Sequence, residues 1–191
     1  MRSVLRQPIA QILDRREAGT IAQVFWVVMF AALTAVGARI EVPHEPVPYT
    51  MQTFFVLLGG AFLGPRNGAI SQVVYLAIGA LGVPVFASAG FGLGRLFGPT
   101  GGYLLAFPAA AAIVGYLVER HRSRPWIFFS MAMGLLVIFA CGTIQLYAKA
   151  IHDWVAAFNS GFLIFSWWDA VKLGAAAMGY HEAAKRWPRI P

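Results

Sequence analysis

The sequence has few cysteines and few charged residues, which soluble enzymes and secreted domains commonly have. It contains one cysteine, Cys141, within an apolar stretch, which excludes an intramolecular disulfide and a cysteine-based metal site. Charged residues make up only 12% of the 191 residues and hydrophobic residues make up 59%, whereas an ordinary soluble domain is roughly a quarter charged. A soluble fold of this size cannot bury so much apolar surface. The composition therefore predicts an integral membrane protein.

Signatures of catalysis are also missing. The histidines His44, His121, His152 and His181 lack the spacing of metal ligands, and no G-x-S-x-G motif is present. The glycine-rich run 90–94 fits neither a P-loop nor the G-x-G-x-x-G pattern. We therefore expect no enzyme, no metal and no cofactor, and if the chain works in active transport, another protein must supply the energy. One buried carboxylate, Asp169, keeps an intramembrane general base open as an alternative.

Six apolar runs are separated by clusters of proline, glycine and charge. They cover 21–38, 51–64, 68–81, 100–118, 126–148 and 161–181. Because a spanning helix needs roughly 20 apolar residues, the pattern predicts an all-α integral membrane protein, a bundle of six transmembrane helices whose long extracytoplasmic loops cover a binding pocket. The second and third runs are short and joined by a tight turn at 64–68, so we expect one or both to be tilted, broken or partly buried.

The polar ends divide the chain into three parts. Residues 1–20 are basic, with apolar residues at helical spacing, and are expected to be a cytoplasmic segment, either an amphipathic surface helix or a frayed tail. They lack the continuous apolar stretch of a signal peptide, so we expect the mature chain to keep them. Residues 21–184 form the predicted membrane domain, and 185–191 form a basic cytoplasmic tail.

The basic residues are distributed unequally between the two predicted faces of the membrane. With alternate connections assigned to opposite sides, eleven Lys and Arg residues fall on the side of both termini, only Arg39, Arg95 and Lys149 fall on the other, and Lys172 lies inside a span. The positive-inside rule then puts both termini in the cytoplasm. For a bacterial chain, the expected membrane is the inner membrane. The net charge of +7 is explained by this topology, and nucleic acid is not an expected partner.

Two outer connections are longer than a hairpin requires. The first, 41–49, is rich in proline and therefore extended, and the second, 82–98, carries five glycines. Loops of this kind often cover a binding site, although glycine also serves tight turns at a membrane surface. Both loops are candidates for a lid.

Polar side chains inside the spans mark the candidate site. Asp169 and Lys172 lie three residues apart in the sixth run, where each ionisable group costs about 2.5–3.5 kcal/mol to insert. Such a pair either faces a substrate path, or consists of two charges that neutralise each other and only fix helix packing. The neighbouring Trp168 is either an anchor at the membrane interface or a wall of the pocket. The neutral donors and acceptors Gln52, Thr53, Gln72 and Tyr75 suit an amide-like ligand or interhelical hydrogen bonds.

Four stretches together resemble the BioY family of biotin-binding S components of energy-coupling factor (ECF) transporters. They are Pro46-Val47-Pro48-Tyr49-Thr50-Met51-Gln52-Thr53, Leu63-Gly64-Pro65-Arg66-Asn67-Gly68, Gly82-Val83-Pro84-Val85-Phe86 and Phe97-Gly98-Pro99-Thr100-Gly101-Gly102-Tyr103-Leu104. Asp169-x-x-Lys172 resembles the family's D-x-x-K, although Phe165-Ser166-Trp167-Trp168 replaces the Pro-Gly turn that commonly precedes it. Ala31 and Ala35 resemble the A-x-x-x-A surface that meets the coupling subunit.

The resemblance implies high-affinity capture of biotin and its passage across the membrane. The implied partners are biotin, the lipid bilayer, a transmembrane coupling subunit and two ATP-binding subunits. Asp169 and Lys172 would bind the ureido group or the carboxylate of biotin, with help from Gln52 and Gln72. The ring of biotin would be enclosed by Tyr75, Phe86, Tyr103 and Trp168. Arg95 is a further candidate for ligand binding. The alternatives are an S component for another small vitamin and a biotin carrier that works without an ATPase.

Overall fold

A computed structural model describes residues 9–163 and 166–184, and most of these residues are helical. The helices are α1 (Ile9–Arg39), α2 (Gln52–Ala80), α3 (Leu93–Phe97), α4 (Gly101–Leu105), α5 (Phe107–Arg120), α6 (Arg124–Leu146), α7 (Trp154–Gly161) and α8 (Ser166–Ala184). A π-helical turn, Tyr147–Ile151, prolongs α6, and a 3-10 turn, Ala87–Ala89, lies in the second long loop. Two short antiparallel strands, β1 (Glu41–Val42) and β2 (Tyr49–Thr50), close the first long loop.

Helix α2 consists of two antiparallel arms. Gly64 has a φ of 76°, a left-handed value that suits glycine, and Pro65 follows it. A Cβ atom on Gly68 would lie 2.9 Å from the Cα atom of Gly60, although residues eight apart in a continuous helix are separated by about 12 Å. The chain therefore reverses at Gly64, and the arms 52–63 and 65–80 correspond to the second and third apolar runs.

The α2 hairpin is the centre of the bundle. Helix α5 packs along it so closely that Gly115 meets the backbone of Gly64 and Pro65, and a side chain at 115 would collide with them. Helix α1 packs on α2, α6 packs on α5, and α8 packs on both α2 and α6. The core between these helices is aliphatic and aromatic, with Val56, Leu57, Val114, Met131 and Ile138 almost fully buried. The contact of α8 with α2 brings the polar side chains of the two helices together.

Large apolar side chains cover the outside of the bundle. Exposed examples on α1 alone are Ile21, Val24, Phe25, Val28 and Val36. Soluble monomers rarely expose such continuous apolar surface. Within the described ranges, three helical stretches are long and apolar enough to cross a membrane: Gly19–Arg39, Gly101–Arg120 and Arg124–Ile151. The two arms and α8 correspond to the other predicted spans, and the total of six crossings stays a prediction.

The two ends of the bundle differ. At one end Gly64, Glu119, Arg122 and Tyr180 line a small crevice, and Arg124 forms an exposed ion pair with Glu182 at 3.7 Å. The long loops lie at the other end. The predicted segment 1–20 is described from residue 9 onward, where it is helical and continuous with α1, and its first eight residues and the predicted tail 185–191 lie outside the described residues. The division of the chain at these positions stays a prediction.

Candidate functional site

A cavity of about 570 Å³, counted with its mouth, lies at the end that carries the long loops. The lining comes from both long loops, the start of α2, helices α3 to α6, and α8: Val47, Pro48, Thr50, Gln52, Thr53, Phe86, Ala87, Arg95, Thr100, Tyr103, Leu104, Phe107, Ile138, Phe139, Asp169 and Lys172. It is mostly apolar with a few polar groups, the composition of a site for a small amphipathic ligand.

An ion pair forms the polar wall of the cavity. Nζ of Lys172 lies 2.6 Å from Oδ1 of Asp169, and it donates to the carbonyl of Thr50 at 2.8 Å and to Oγ1 of Thr53 at 3.0 Å. An ammonium group has three N–H donors, so these three contacts use all of them. Lys172 is held within the protein and has no donor left for a ligand.

The carboxylate of Asp169 is only partly satisfied. Its Oδ1 atom accepts from Lys172 and from Oγ1 of Thr53, the latter at 3.3 Å. The residue is 1% exposed, and within the described residues no hydrogen-bond donor reaches Oδ2. Leaving a buried charged acceptor without a donor is costly. The carboxylate is therefore prepared to accept a hydrogen bond from a ligand N–H group.

Gln52 sits beside this pair at the start of α2. Its Nε2 donates to the hydroxyl of Tyr75 at 2.6 Å, its Oε1 accepts from Oγ1 of Thr50 at 3.0 Å, and Tyr75 in turn donates to the carbonyl of Val85 at 3.1 Å. Tyr75 therefore lies behind Gln52 and fixes its orientation. Since an amide has two N–H donors, Gln52 keeps one for a ligand.

Aromatic rings form the apolar walls. Phe86 and Phe107 are almost fully buried, and Tyr103 and Phe139 meet edge to face at 6.5 Å. The hydroxyl of Tyr103 donates to the carbonyl of Gly161 at 2.7 Å, at the end of α7. The polar tip of Tyr103 is thus used by the protein, and only its ring is available to a ligand.

Arg95 is the second cation of the lining. It lies on the five-residue helix α3 and is half-buried. Within the part of the chain that the structure describes, its guanidinium has neither an ion-pair partner nor a hydrogen-bond acceptor. An unpaired guanidinium that borders a cavity favours an anionic ligand group such as a carboxylate.

The two long loops are joined by a contact that we call the loop latch. The Glu41 carboxylate accepts from the Ser88 N–H at 2.8 Å and from its Oγ at 3.3 Å, and the Arg39 guanidinium donates to the Pro84 carbonyl. Ser88 adopts a left-handed φ of 54°, which is unfavourable for a non-glycine residue. The latch connects two loops that both contribute residues to the cavity lining.

The structure brings six of the predicted site residues to the cavity: Gln52, Phe86, Arg95, Tyr103, Asp169 and Lys172. Gln72 is fully buried elsewhere, between α1 and α2, where its Nε2 donates to Thr34 at 3.3 Å and to Ser71 at 3.1 Å. Trp168 is half-buried on α8 and is not among the described lining residues. The ligand-binding role of all these residues stays a prediction.

The predicted docking ridge lies partly inside the bundle. Ala31 is 3% exposed and belongs to the core, and Ala35 is half-buried against the same core. The first alanine therefore contacts this chain's own helices. A role of the ridge in binding another subunit stays a prediction.

Several lining residues were missed by sequence reasoning. Phe107, Ile138 and Phe139 lie within apolar runs and carry no signal that separates a cavity wall from the core. The Thr50 carbonyl is a backbone group and is invisible to a side-chain pattern. Thr53, by contrast, was expected beside Gln52 as a polar residue at the start of an apolar run, and it lines the cavity.

Comparison with known proteins identifies the family. A family model described as BioY matches residues 10–189. The chain belongs to the BioY family. Among its BioY relatives, "Biotin transporter BioY" of Thermotoga maritima is 42% identical over 150 residues, which are 78% of this chain and 88% of that protein. "Probable biotin transporter BioY" of Pyrococcus horikoshii is 44% identical over 156 residues, which are 82% and 92% of the two chains.

The fold of this BioY chain matches a solved structure. "Crystal structure at 2.1 A of the S-component for biotin from an ECF-type ABC transporter" superposes with a TM-score of 0.80 at 20% identity and covers 87% of this chain and 92% of the other. BioY is a transporter family, so this chain is a multi-pass membrane protein and a transport component. The alternative of an intramembrane enzyme is thereby wrong.

Proposed function

We propose that this chain is the biotin-specific S component of an ATP-driven ECF importer in the bacterial inner membrane. Its relatives are named biotin transporters. The observation that carries the proposal is the distribution of polar groups around the cavity: a buried carboxylate with a free oxygen, four aromatic rings, and a guanidinium without a partner among the described residues. Biotin has a matching ureido group, an apolar thiophane ring and a carboxylated tail.

The ureido group of biotin fits the polar wall. One ureido N–H donates to Oδ2 of Asp169, and the remaining N–H of Gln52 donates to the ureido carbonyl. Lys172 acts through Asp169, because its three donors are already used within the protein. This assignment differs from the sequence-based expectation that Lys172 itself contacts biotin.

The rest of biotin fits the remaining walls. The thiophane ring packs among Phe86, Tyr103, Phe107 and Phe139, which supply apolar area without a competing polar group. The carboxylate pairs with the guanidinium of Arg95. A charge-assisted hydrogen bond of this kind contributes about 1.5–3 kcal/mol, so Arg95 favours the free acid over an uncharged derivative.

Equilibrium binding of radiolabelled biotin to the detergent-purified chain tests this function, with biotin methyl ester as the competing ligand. Wild type should prefer biotin by about tenfold or more, and Arg95→Gln should lose most of that preference. Arg66→Gln, an exposed arginine next to the α2 reversal, is the matched control and should behave as wild type. Absence of biotin binding, or equal affinity of wild type for acid and ester, contradicts the proposal.

The proposed topology has six crossings and both termini in the cytoplasm. It is supported by the unequal distribution of Lys and Arg and by the position of the α2 reversal at the same end as Glu119 and Arg122. A transmembrane coupling subunit and two ATP-binding subunits complete the importer, since the sequence has no P-loop of its own. Ala35, the half-buried residue of the predicted ridge, is the proposed contact with the coupling subunit, whereas Ala31 packs in the core.

A further inference from the structure

Gln145, near the end of α6, links that helix to the short helix α3. Its Nε2 donates to the carbonyl of Leu96 at 3.1 Å and to the carbonyl of Gly98 at 2.6 Å. Carbonyls at the C-terminal end of a helix have no partner within that helix. One amide therefore holds two carbonyls at the end of α3, of which that of Gly98 also accepts from the Gly101 N–H at 3.1 Å.

Helix α3 depends on such external contacts. It has only five residues, Leu93–Phe97, and a helix of that length is not stable by itself. Leu96 is buried at 6% exposure and supplies one apolar anchor. The Gln145 amide supplies a second, polar anchor from a long helix of the bundle.

Two glycines make room for this contact. A Cβ atom on Gly101 would lie 2.8 Å from Nε2 of Gln145, and one on Gly102 would lie 2.8 Å from its Cβ atom. Separations this short require a neighbour to move. The Gly101-Gly102 pair thus lets α4 pass α6 closely enough for the amide to reach α3.

Arg95 is the reason why the position of α3 matters for binding. It precedes Leu96, the residue whose carbonyl Gln145 holds, and its side chain borders the cavity. Gln145 itself is half-buried and lines an outer groove of α6 instead of the cavity. Its effect on a ligand must therefore pass through α3.

We infer that Gln145 is a positioning residue: its amide fixes α3 so that the Arg95 guanidinium faces the cavity, and it thereby sets the preference for a carboxylated ligand. The inference rests on the proposed function, in which Arg95 pairs with the biotin carboxylate. It makes the amide of α6 a determinant of ligand selectivity without ligand contact.

The test measures the affinities of biotin and biotin methyl ester for Gln145→Met and Gln145→Glu in the full-length purified chain. Both variants lose the N–H donors, and methionine keeps the length of the side chain without charge. Each should weaken biotin binding about tenfold, while the affinity for the ester stays within about twofold of wild type. Retained ester binding also demonstrates that the variant is folded. Ile144→Met, at an exposed position one residue earlier, is the control and should change neither affinity.

A double-mutant comparison separates the two proposals. If Gln145 acts through Arg95, the variant carrying both Gln145→Met and Arg95→Gln should bind biotin no more weakly than Arg95→Gln alone. Equal losses for acid and ester in both Gln145 variants, or no loss, overturn the positioning role while leaving the Arg95 assignment intact. If Arg95→Gln keeps the preference of wild type for the acid, the carboxylate assignment fails and the inference fails with it.

Discussion

Replacing Lys172 by methionine removes the cation that compensates a carboxylate in the bilayer. The two side chains are 5% and 2% exposed, and Nζ makes contacts of 2.6, 2.8 and 3.0 Å with Asp169, Thr50 and Thr53. Removing one partner of such a pair costs about 3–5 kcal/mol, because the other charge stays buried without compensation. We expect Lys172→Met to lower the unfolding temperature clearly and to weaken biotin binding by about a hundredfold or more.

The complementary change, Asp169→Asn, keeps the size of the side chain and removes its charge. It takes away the proposed ligand acceptor Oδ2, which should cost about 1–3 kcal/mol of binding free energy, or roughly ten- to hundredfold in affinity. The double variant Asp169→Asn, Lys172→Met has no unpaired buried charge. It should therefore recover thermal stability while its affinity for biotin stays low.

Two measurements on the purified proteins test whether the pair binds biotin or is only structural: radiolabelled biotin binding at equilibrium, and thermal unfolding without ligand. Arg124→Gln is a suitable control, because its ion pair with Glu182 has side chains 72% and 61% exposed, and exposed pairs contribute little to stability. Wild-type affinity in the double variant would refute the assignment of Asp169 to the ligand. The pair would then be a structural one.

Other predictions address the loops, the topology and the alanine ridge. Glu41→Gln weakens the loop latch, so prebound biotin should dissociate about fivefold faster, with little change in the association rate. An unchanged dissociation rate would mean that the loops retain biotin without the latch. In a chain without the native cysteine, cysteines introduced at Ser123 and Asn159 should be labelled from opposite sides of the membrane. Equal labelling of both from outside intact cells overturns the topology. Ala35→Trp should abolish ATP-driven uptake but not biotin binding. Ala31→Trp, within the core, should instead lower thermal stability. Normal uptake by the Ala35→Trp variant would contradict the docking role of Ala35.

The sequence was most informative where a residue type is costly or conformationally special. Asp169 and Lys172 stood out because charge is expensive in a bilayer, and the structure brings them together in one pair. Gly64 and Pro65 indicated the reversal between two short helices for the same kind of reason. Gln72 was not separable from Gln52 by pattern, because an amide that satisfies Thr34 and Ser71 looks the same in sequence as one that borders a cavity.

Contacts between distant segments were beyond the reach of the sequence. Gln145 was the only amide in the run 126–148, yet its partners are backbone carbonyls almost fifty residues earlier. The latch between Glu41 and Ser88 likewise depends on how two loops meet in space. Side-chain spacing describes one helix face at a time, and these contacts arise only when α3 and the loops are packed on the bundle.

The reversal at Gly64 affects the lipids around the protein. The first arm, 52–63, has no exposed residue, but the second arm, 65–80, presents Ile70, Val73 and Ile78 outward. Sixteen helical residues rise about 24 Å, whereas the hydrocarbon layer is about 30 Å thick. In the proposed six-crossing topology, acyl chains on that flank shorten their effective length, at a cost of a fraction of a kcal/mol for each ångström of mismatch. The protein should therefore partition towards thinner bilayers when it is reconstituted with lipids of graded chain length.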